Sequence, residues 1–283
     1  LCNDTKQSKA VSGGAAQVAP RRLALCIEYA GENYKGWQSQ KFDSLPTVQE
    51  HVEKALSKVA NHSVSVICAG RTDTGVNGTY QIIHFDSHAQ RDMRAWVLGA
   101  NSQLPQDIAV QWAKVVNDSF HARFSALSRR YRYVIYSNPV MPAVLAKGVT
   151  WTHKSLDVAQ MQQGAQYLQG EHDFTSYRAV ACQAKSAVRT ISAISVYTHG
   201  ELVVLDVQAN AFLHHMIRNI AGVLISIGAG EASPEWALEV LKAKDRRKGG
   251  VTAPPHGLYF VDVKYPQEYG LPKSKVGPFF IGS

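Results

Sequence analysis

An α+β fold built in two similar halves is what this 283-residue sequence predicts, and three observations predict it. Short segments with period-two alternation are interleaved with segments of helical spacing. In the first half they come in the order β-α-β-β-α-β, the split βαβ arrangement of ferredoxin-like folds. The second half repeats that topology without repeating the sequence. No long linker parts the two, so both ferredoxin-like halves are expected to share one extended antiparallel sheet.

Segment 22–29 places Leu23, Leu25, Ile27 and Tyr29 on one face and Ala24, Cys26 and Glu28 on the other, the pattern of a strand. Pro46 and Thr47 open a helix. Thr47 with Glu50 fits a capping box, and Val48, Val52, Ala55, Leu56 and Val59 follow at helical spacing. Strands are predicted over 64–68 and 80–85, a helix over about 91–100, and a strand from Ile108. Past a boundary near Ser125, Tyr131, Tyr133 and Ile135 alternate with Arg130, Arg132 and Val134 in a strand. Val158, Met161, Ala165 and Leu168 mark a helix over about 155–168, and strands follow over 191–197 and 202–207 around a turn at His199-Gly200. An apolar helix then carries Met216, Ile217, Ile220, Val223, Leu224 and Ile227, with Gly228 and Gly230 as its stop. Ser233 and Pro234 begin another helix, and 258–264 is a last strand. The predicted units are a flexible tail over 1–20, a first half over 21–125 and a second over 126–283.

Apolar residues make up 45% and charged residues 18% of the chain, enough for a buried core and unlike a disordered segment. Lys and Arg number 30 and Asp and Glu 22, leaving a net charge of +8 that points to a polyanionic partner. The most continuous apolar stretch, 220–230, is far shorter than the roughly 20 residues of a membrane helix, and no membrane association is expected. The first twenty residues lack the apolar region of a signal peptide. Cys2, Cys26, Cys68 and Cys182 are scattered, with no C-x-x-C. Neither a disulfide framework nor a zinc site is expected, and free thiols suit the cytoplasm.

Three segments stand out for chemistry. Loop 69–78 lies between two strands and sets Arg71 and Asp73 two residues apart among glycines and short polar residues. Such a loop can present a charged side chain from a rigid scaffold, or can be a plain turn in which Asp73 bonds its own backbone. A P-loop is excluded, because Val76-Asn77 stands where Lys-Ser/Thr is required, and no G-x-G-x-x-G opens a helix; no nucleotide cofactor is expected. Segment 120–136 holds Arg123, Arg129, Arg130 and Arg132, no acidic residue, and interleaved Phe and Tyr. Arg supplies phosphate contacts and aromatic rings stack on unpaired bases. Alternation sets Arg130 and Arg132 opposite Tyr131 and Tyr133, so these residues cannot all serve one site. Segment 211–219 brings His214, His215 and Arg218 to an apolar helix. Neighbouring histidines on a helix diverge by about 100°, so no metal is expected there. Arg218 needs a carboxylate partner if buried, and Asp73 is a candidate. Lys242, Lys244, Arg246, Arg247 and Lys248 form a basic cluster, of which Lys242 and Arg246 are candidate RNA-backbone contacts.

With these segments in view, the chain resembles the TruA-type tRNA pseudouridine synthases. Gly70-Arg71-Thr72-Asp73-x-Gly75-Val76 is similar to that family's signature loop. Tyr29-Ala30-Gly31 with Tyr34-x-Gly36-Trp37-Gln38, 120–126 followed by Arg130-Tyr131-Arg132-Tyr133, 173–177, and 212–219 resemble its other motifs in order, so the likeness covers about 23–280. The resemblance implies a basic cleft between the halves and a homodimer carrying one tRNA across both subunits. It implies isomerisation of uridine to pseudouridine at positions 38, 39 and 40 of the anticodon stem-loop, without cofactor. It also implies that Asp73 is the catalytic aspartate, with Tyr131 against the base and Arg218 pairing the aspartate. Arg71 would fill the space of a flipped nucleotide, with Arg123, Arg130 and Arg132 contacting RNA. One departure is Asn77, where the family commonly has His; Asn cannot be protonated near neutral pH. The competing reading is a non-catalytic tRNA-binding or chaperone module on the same fold, which gains nothing from a carboxylate among phosphates. A glycosidase would need a second carboxylate, for which Glu28 and Glu32 are the nearest in sequence.

Overall fold

The computed structural model describes residues 19–39, 45–273 and 275–282. The tail expected over 1–20 therefore lies outside the described residues apart from Ala19 and Pro20, as does Cys2. The chain runs β1 (Arg21–Tyr29), α1 (Val48–Ala60), β2 (Ile67–Cys68), β3 (Asn77–Ser87), α2 (Met93–Asn101) and β4 (Ile108–Val115). It continues with β5 (Ser128–Ser137), β6 (Thr150–Thr152), α3 (Val158–Gln166), β7 (Gly170–Asp173), β8 (Val188–His199) and β9 (Leu202–Ala209). Helices α4 (Met216–Gly228) and α5 (Trp236–Ala243) precede the last strand, β10 (Leu258–Lys264).

All ten strands join one sheet in the order β4-β1-β3-β10-β5-β9-β8-β7, with β2 on β3 and β6 on β5. The sheet is mixed, which corrects the antiparallel expectation. Tyr259 and Phe260 of β10 lie parallel to Asn77 and Gly78 of β3, while β10 runs antiparallel to β5. Thus β10 fills the seam between the two groups of strands.

Local signals account for the helix ends. The capping box is formed: Glu50 N–H donates to Thr47 Oγ1, and Thr47 N–H donates to Glu50 Oε2 at 3.0 Å. Asp92 and Asp157 cap α2 and α3 by accepting from Ala95 and Gln160 N–H. Val48, Val52 and Leu56 of α1, with Trp96 and Ala100 of α2, bury against Leu23, Leu25 and Ile27 of β1. In a second cluster Met161 and Ala165 of α3 and Ile220, Leu224 and Ile227 of α4 pack with Leu205 and Val207 of β9. Burial of such side chains is worth about 1.5–3 kcal/mol each, and it pins both helical layers to the one sheet.

Candidate active site

The loop between β2 and β3 carries Asp73, and its course is held from three sides. Trp37 N–H donates to Thr72 O at 3.1 Å, the Tyr29 and Thr72 hydroxyls bond at 2.8 Å, and the Gln81 amide pairs with both backbone groups of Gly70. Val76 N–H closes a turn onto Asp73 O at 3.1 Å, and Gly75 takes φ +77° within it. A Cβ on Gly31 would come within 2.1 Å of Val76 O, so only glycine lets the 31–37 segment clamp this loop backbone to backbone. The Asp73 carboxylate thus points away from its own turn and toward residues of α4, and the plain-turn reading does not describe it.

Four side chains converge there. Arg218, in the first turn of α4, sets Nη1 at 3.9 Å from Asp73 Oδ2, with the guanidinium 14% exposed and the carboxylate 27% exposed. Its Nε donates to Ala253 O at 2.8 Å, which fixes the fork, and burial draws its pKa down while Asp73 opposes that shift. His214 Nε2 lies 3.2 Å from Asp73 Oδ1, and His215 Nε2 lies 3.5 Å from Oδ2. The two rings are 4.0 Å apart. The expectation that adjacent histidines point apart assumed a helix. The helix instead begins at Met216, and His215 precedes it with φ +60°, which turns both rings to one side. Burial lowers the His215 pKa, with the neighbouring Asp73 charge opposing that shift.

Tyr131 on β5 is buried beside this group. Its ring stacks on Phe260 at 4.7 Å and meets Phe212 edge-on at 5.0 Å. Burial raises its hydroxyl pKa, with neighbouring Tyr29 and Asp73 adding to the shift, so the phenol keeps its proton. A cleft of about 1320 Å³ opens over Asp73 and Tyr131. Lys35, Arg71, Arg123, Arg129, Arg189 and Arg218 line it, and Asp73 is the one carboxylate among its described lining residues. Arg71 and Arg123 are exposed, and Arg123 lies over the Phe124 ring at 5.7 Å. Sequence reasoning noticed Arg129 without placing it. Its guanidinium donates to Ala69 O at 3.1 Å and Arg123 O at 2.6 Å, tying the Asp73 loop to the 120–126 segment. His84 of β3 also holds that segment, accepting from Ala122 N–H at 3.1 Å; burial drives its pKa down to about 4 and keeps it an acceptor.

Other predicted contacts do not join the cleft. Arg130 and Arg132 lie on the face of β5 opposite Tyr131, both bound to Asp206 of β9. Arg132 is 5% exposed and its Nη1 also donates to the Val276, Gly277 and Gly282 carbonyls, so it is held in the protein interior. Arg246 Nη2 donates to Asn219 Oδ1, Gly250 O and Thr252 Oγ1, and so braces α4 from outside. Lys242 is exposed on α5, outside the cleft lining. Asn77 is buried: its Oδ1 accepts from Gly31 N–H and its Nδ2 donates to His256 O, both at 2.8 Å. It ties Gly31 to His256, and both ends of its amide are engaged.

Gly222 sets how closely α4 meets the strand-like segment that holds Arg218. A Cβ there would lie 1.8 Å from Val251 O, two residues before the Ala253 carbonyl that orients the guanidinium. Gly222→Ala is expected to cost about 1–3 kcal/mol as an overpacked contact. Turnover should fall in the fraction that stays folded. Thermal melting and kcat measured on the same preparation check both.

The profile of the family described as tRNA pseudouridine synthase matches residues 25–125 and 165–266. The chain is 56% identical over 279 residues to a tRNA pseudouridine synthase A of Pseudomonas aeruginosa, covering 99% of this chain and 97% of that relative. It is 55% identical over 260 residues to the tRNA pseudouridine synthase A of Alcanivorax borkumensis, covering 92% of this chain and 97% of the relative. Against that of Coxiella burnetii the identity is 57% over 260 residues, covering 92% and 99%.

Proposed function

The chain belongs to the TruA-type tRNA pseudouridine synthases and is an isomerase that converts uridine in tRNA to pseudouridine; we propose that its targets are the uridines at positions 38, 39 and 40 of the anticodon stem-loop, and that Asp73 carries the chemistry. The observation behind the second proposal is the isolated Asp73 carboxylate among the cationic side chains of the cleft.

The N1–C1′ bond of the uridine breaks, the uracil turns, and C5 bonds to C1′. Either attack of a carboxylate on C1′ or removal of a sugar proton starts this, and both need an ionised carboxylate against the ribose. Arg218, with Nη1 3.9 Å from Oδ2, sets a positive charge against the carboxylate and helps hold its rotamer. A stacked uridine is out of reach, so the nucleotide must flip, at a cost of roughly a few kcal/mol. Arg71 is exposed two residues from Asp73, which supports assigning it to the vacated stack. Tyr131 offers its ring edge to the base and, with its proton retained, a phenol that can donate a hydrogen bond. Once C5 is bonded to C1′, the C5 proton must leave.

We read the sheet as two ferredoxin-like halves, 21–125 and 126–283, with the cleft between them as a basic RNA channel. A homodimer sharing one tRNA is supported by an exposed apolar run after β5: Val140, Met141 and Val144 are 73%, 55% and 82% exposed. Cytoplasmic placement fits a tRNA substrate and the free thiols of Cys26, Cys68 and Cys182. Among the described residues no helix is long and apolar enough to cross a membrane.

Tritium release from tRNAs with 5-tritiated uridine at one of positions 38, 39 or 40 tests the target assignment. Release from each is expected. Release confined to uridines elsewhere in the tRNA would overturn it.

A further inference from the structure

Isomerisation does not require two imidazoles against one carboxylate, yet this site has them. The ligand atoms of Asp73, His214 and His215 all lie within 4.8 Å of one another. The two contacts to the carboxylate are 3.2 and 3.5 Å. Ligands about 2.0–2.1 Å from a tetrahedral ion stand about 3.3–3.4 Å apart, close to each of these two distances, one to Oδ1 and the other to Oδ2, so a small turn of the carboxylate would draw the three ligand atoms around one ion. Two nitrogens and one oxygen with a fourth position open are also the composition of catalytic zinc centres. The opening is present here, since His214 is 43% exposed and Asp73 27% exposed toward the cleft.

One further feature favours a metal: the left-handed turn at His215 brings both rings to one side before any ion arrives. One feature opposes it: the Arg218 guanidinium, 3.9 Å from Oδ2, repels a cation. That repulsion separates this site from a permanent structural zinc and makes binding reversible.

We propose that Asp73, His214 and His215 form a site for a zinc-class divalent cation. Filling it ties the Asp73 carboxylate to the ion and shuts the cleft to the flipped nucleotide, so the ion and tRNA compete. The inhibition rests on the role proposed for Asp73; the binding does not.

Cobalt(II) is the probe, because tetrahedral cobalt absorbs in the visible and needs no turnover to be seen. Titration of the RNA-free enzyme is expected to give that spectrum at one equivalent, bleached by zinc and by tRNA. His214→Gln and His215→Asn should each weaken cobalt binding at least tenfold; asparagine tolerates the left-handed backbone at 215, which guards that variant against misfolding. An unchanged spectrum in both variants, or no spectrum up to ~1 mM cobalt, overturns the site. Zinc should also inhibit tritium release by the wild type, with the inhibition relieved by excess tRNA. Binding without inhibition would leave the metal site standing and remove Asp73 from the chemistry.

Discussion

Asp73→Asn is expected to lower tritium release by roughly 10⁴-fold or more, the scale seen when a nucleophile or its partner is removed from a catalytic unit. The change keeps the volume of the side chain and removes its charge. An amide cannot attack C1′ and cannot take a sugar proton. The fold should survive, because the loop is held by Trp37, Tyr29 and Gln81 through its backbone and through Thr72, and not by the carboxylate. Affinity for tRNA should hold or rise, since an anion is removed from a cleft that carries six cationic side chains. The check is single-turnover tritium release beside filter binding at one stated salt concentration. Loss of binding together with turnover would mean that Asp73 supports the loop and not the reaction.

Asp206→Ala should have the largest effect on stability. Its carboxylate accepts from Arg130 at 2.7 and 2.6 Å and from Arg132 at 2.8 Å, and it is only 6% exposed. Removing one member of a buried ionic group leaves uncompensated charge, at a cost of about 3–5 kcal/mol. Urea denaturation should show that loss as a lower midpoint with an unchanged slope. The double variant Asp206→Leu with Arg132→Met should recover part of it, because apolar replacement of a buried pair is often neutral. Activity per folded molecule should change little in either case, since Tyr131 sits on the other face of the strand. A surface-like loss below about 1 kcal/mol would show that the group is solvated.

These two residues also show where the sequence was readable. Alternation along β5 is local, so it told correctly that Arg130 and Arg132 face away from Tyr131. Their partner lies in β9, directly opposite Arg132 in register, and such pairing is set by the tertiary fold. The basic character of the segment therefore suggested RNA contacts where the structure has a buried ion group. Helix α1 was legible because Thr47 and Glu50 are three residues apart and make their own cap. The seam was not, because apolar alternation in 258–264 says nothing about which strands flank it or in which direction. Asp73, Tyr131 and Arg218 come from three distant segments, each a separate motif of the family resemblance, and no local periodicity links them. The histidine pair was visible as residues but misread, since a left-handed residue just before α4 leaves no trace in a periodic pattern.

The position of β10 bears on how the enzyme comes into being. Made last among the strands, it pairs with β3 on one side and β5 on the other. During synthesis the earlier strands leave the ribosome with two edges that β2 and β6 cover only in part until 258–264 appears. Closure of long loops must precede that pairing, which slows assembly and leaves strand edges open to other chains meanwhile. Phe260 of this strand is also the floor on which Tyr131 rests. A nascent chain cut short before it could hold every residue proposed for the chemistry and still have no active site.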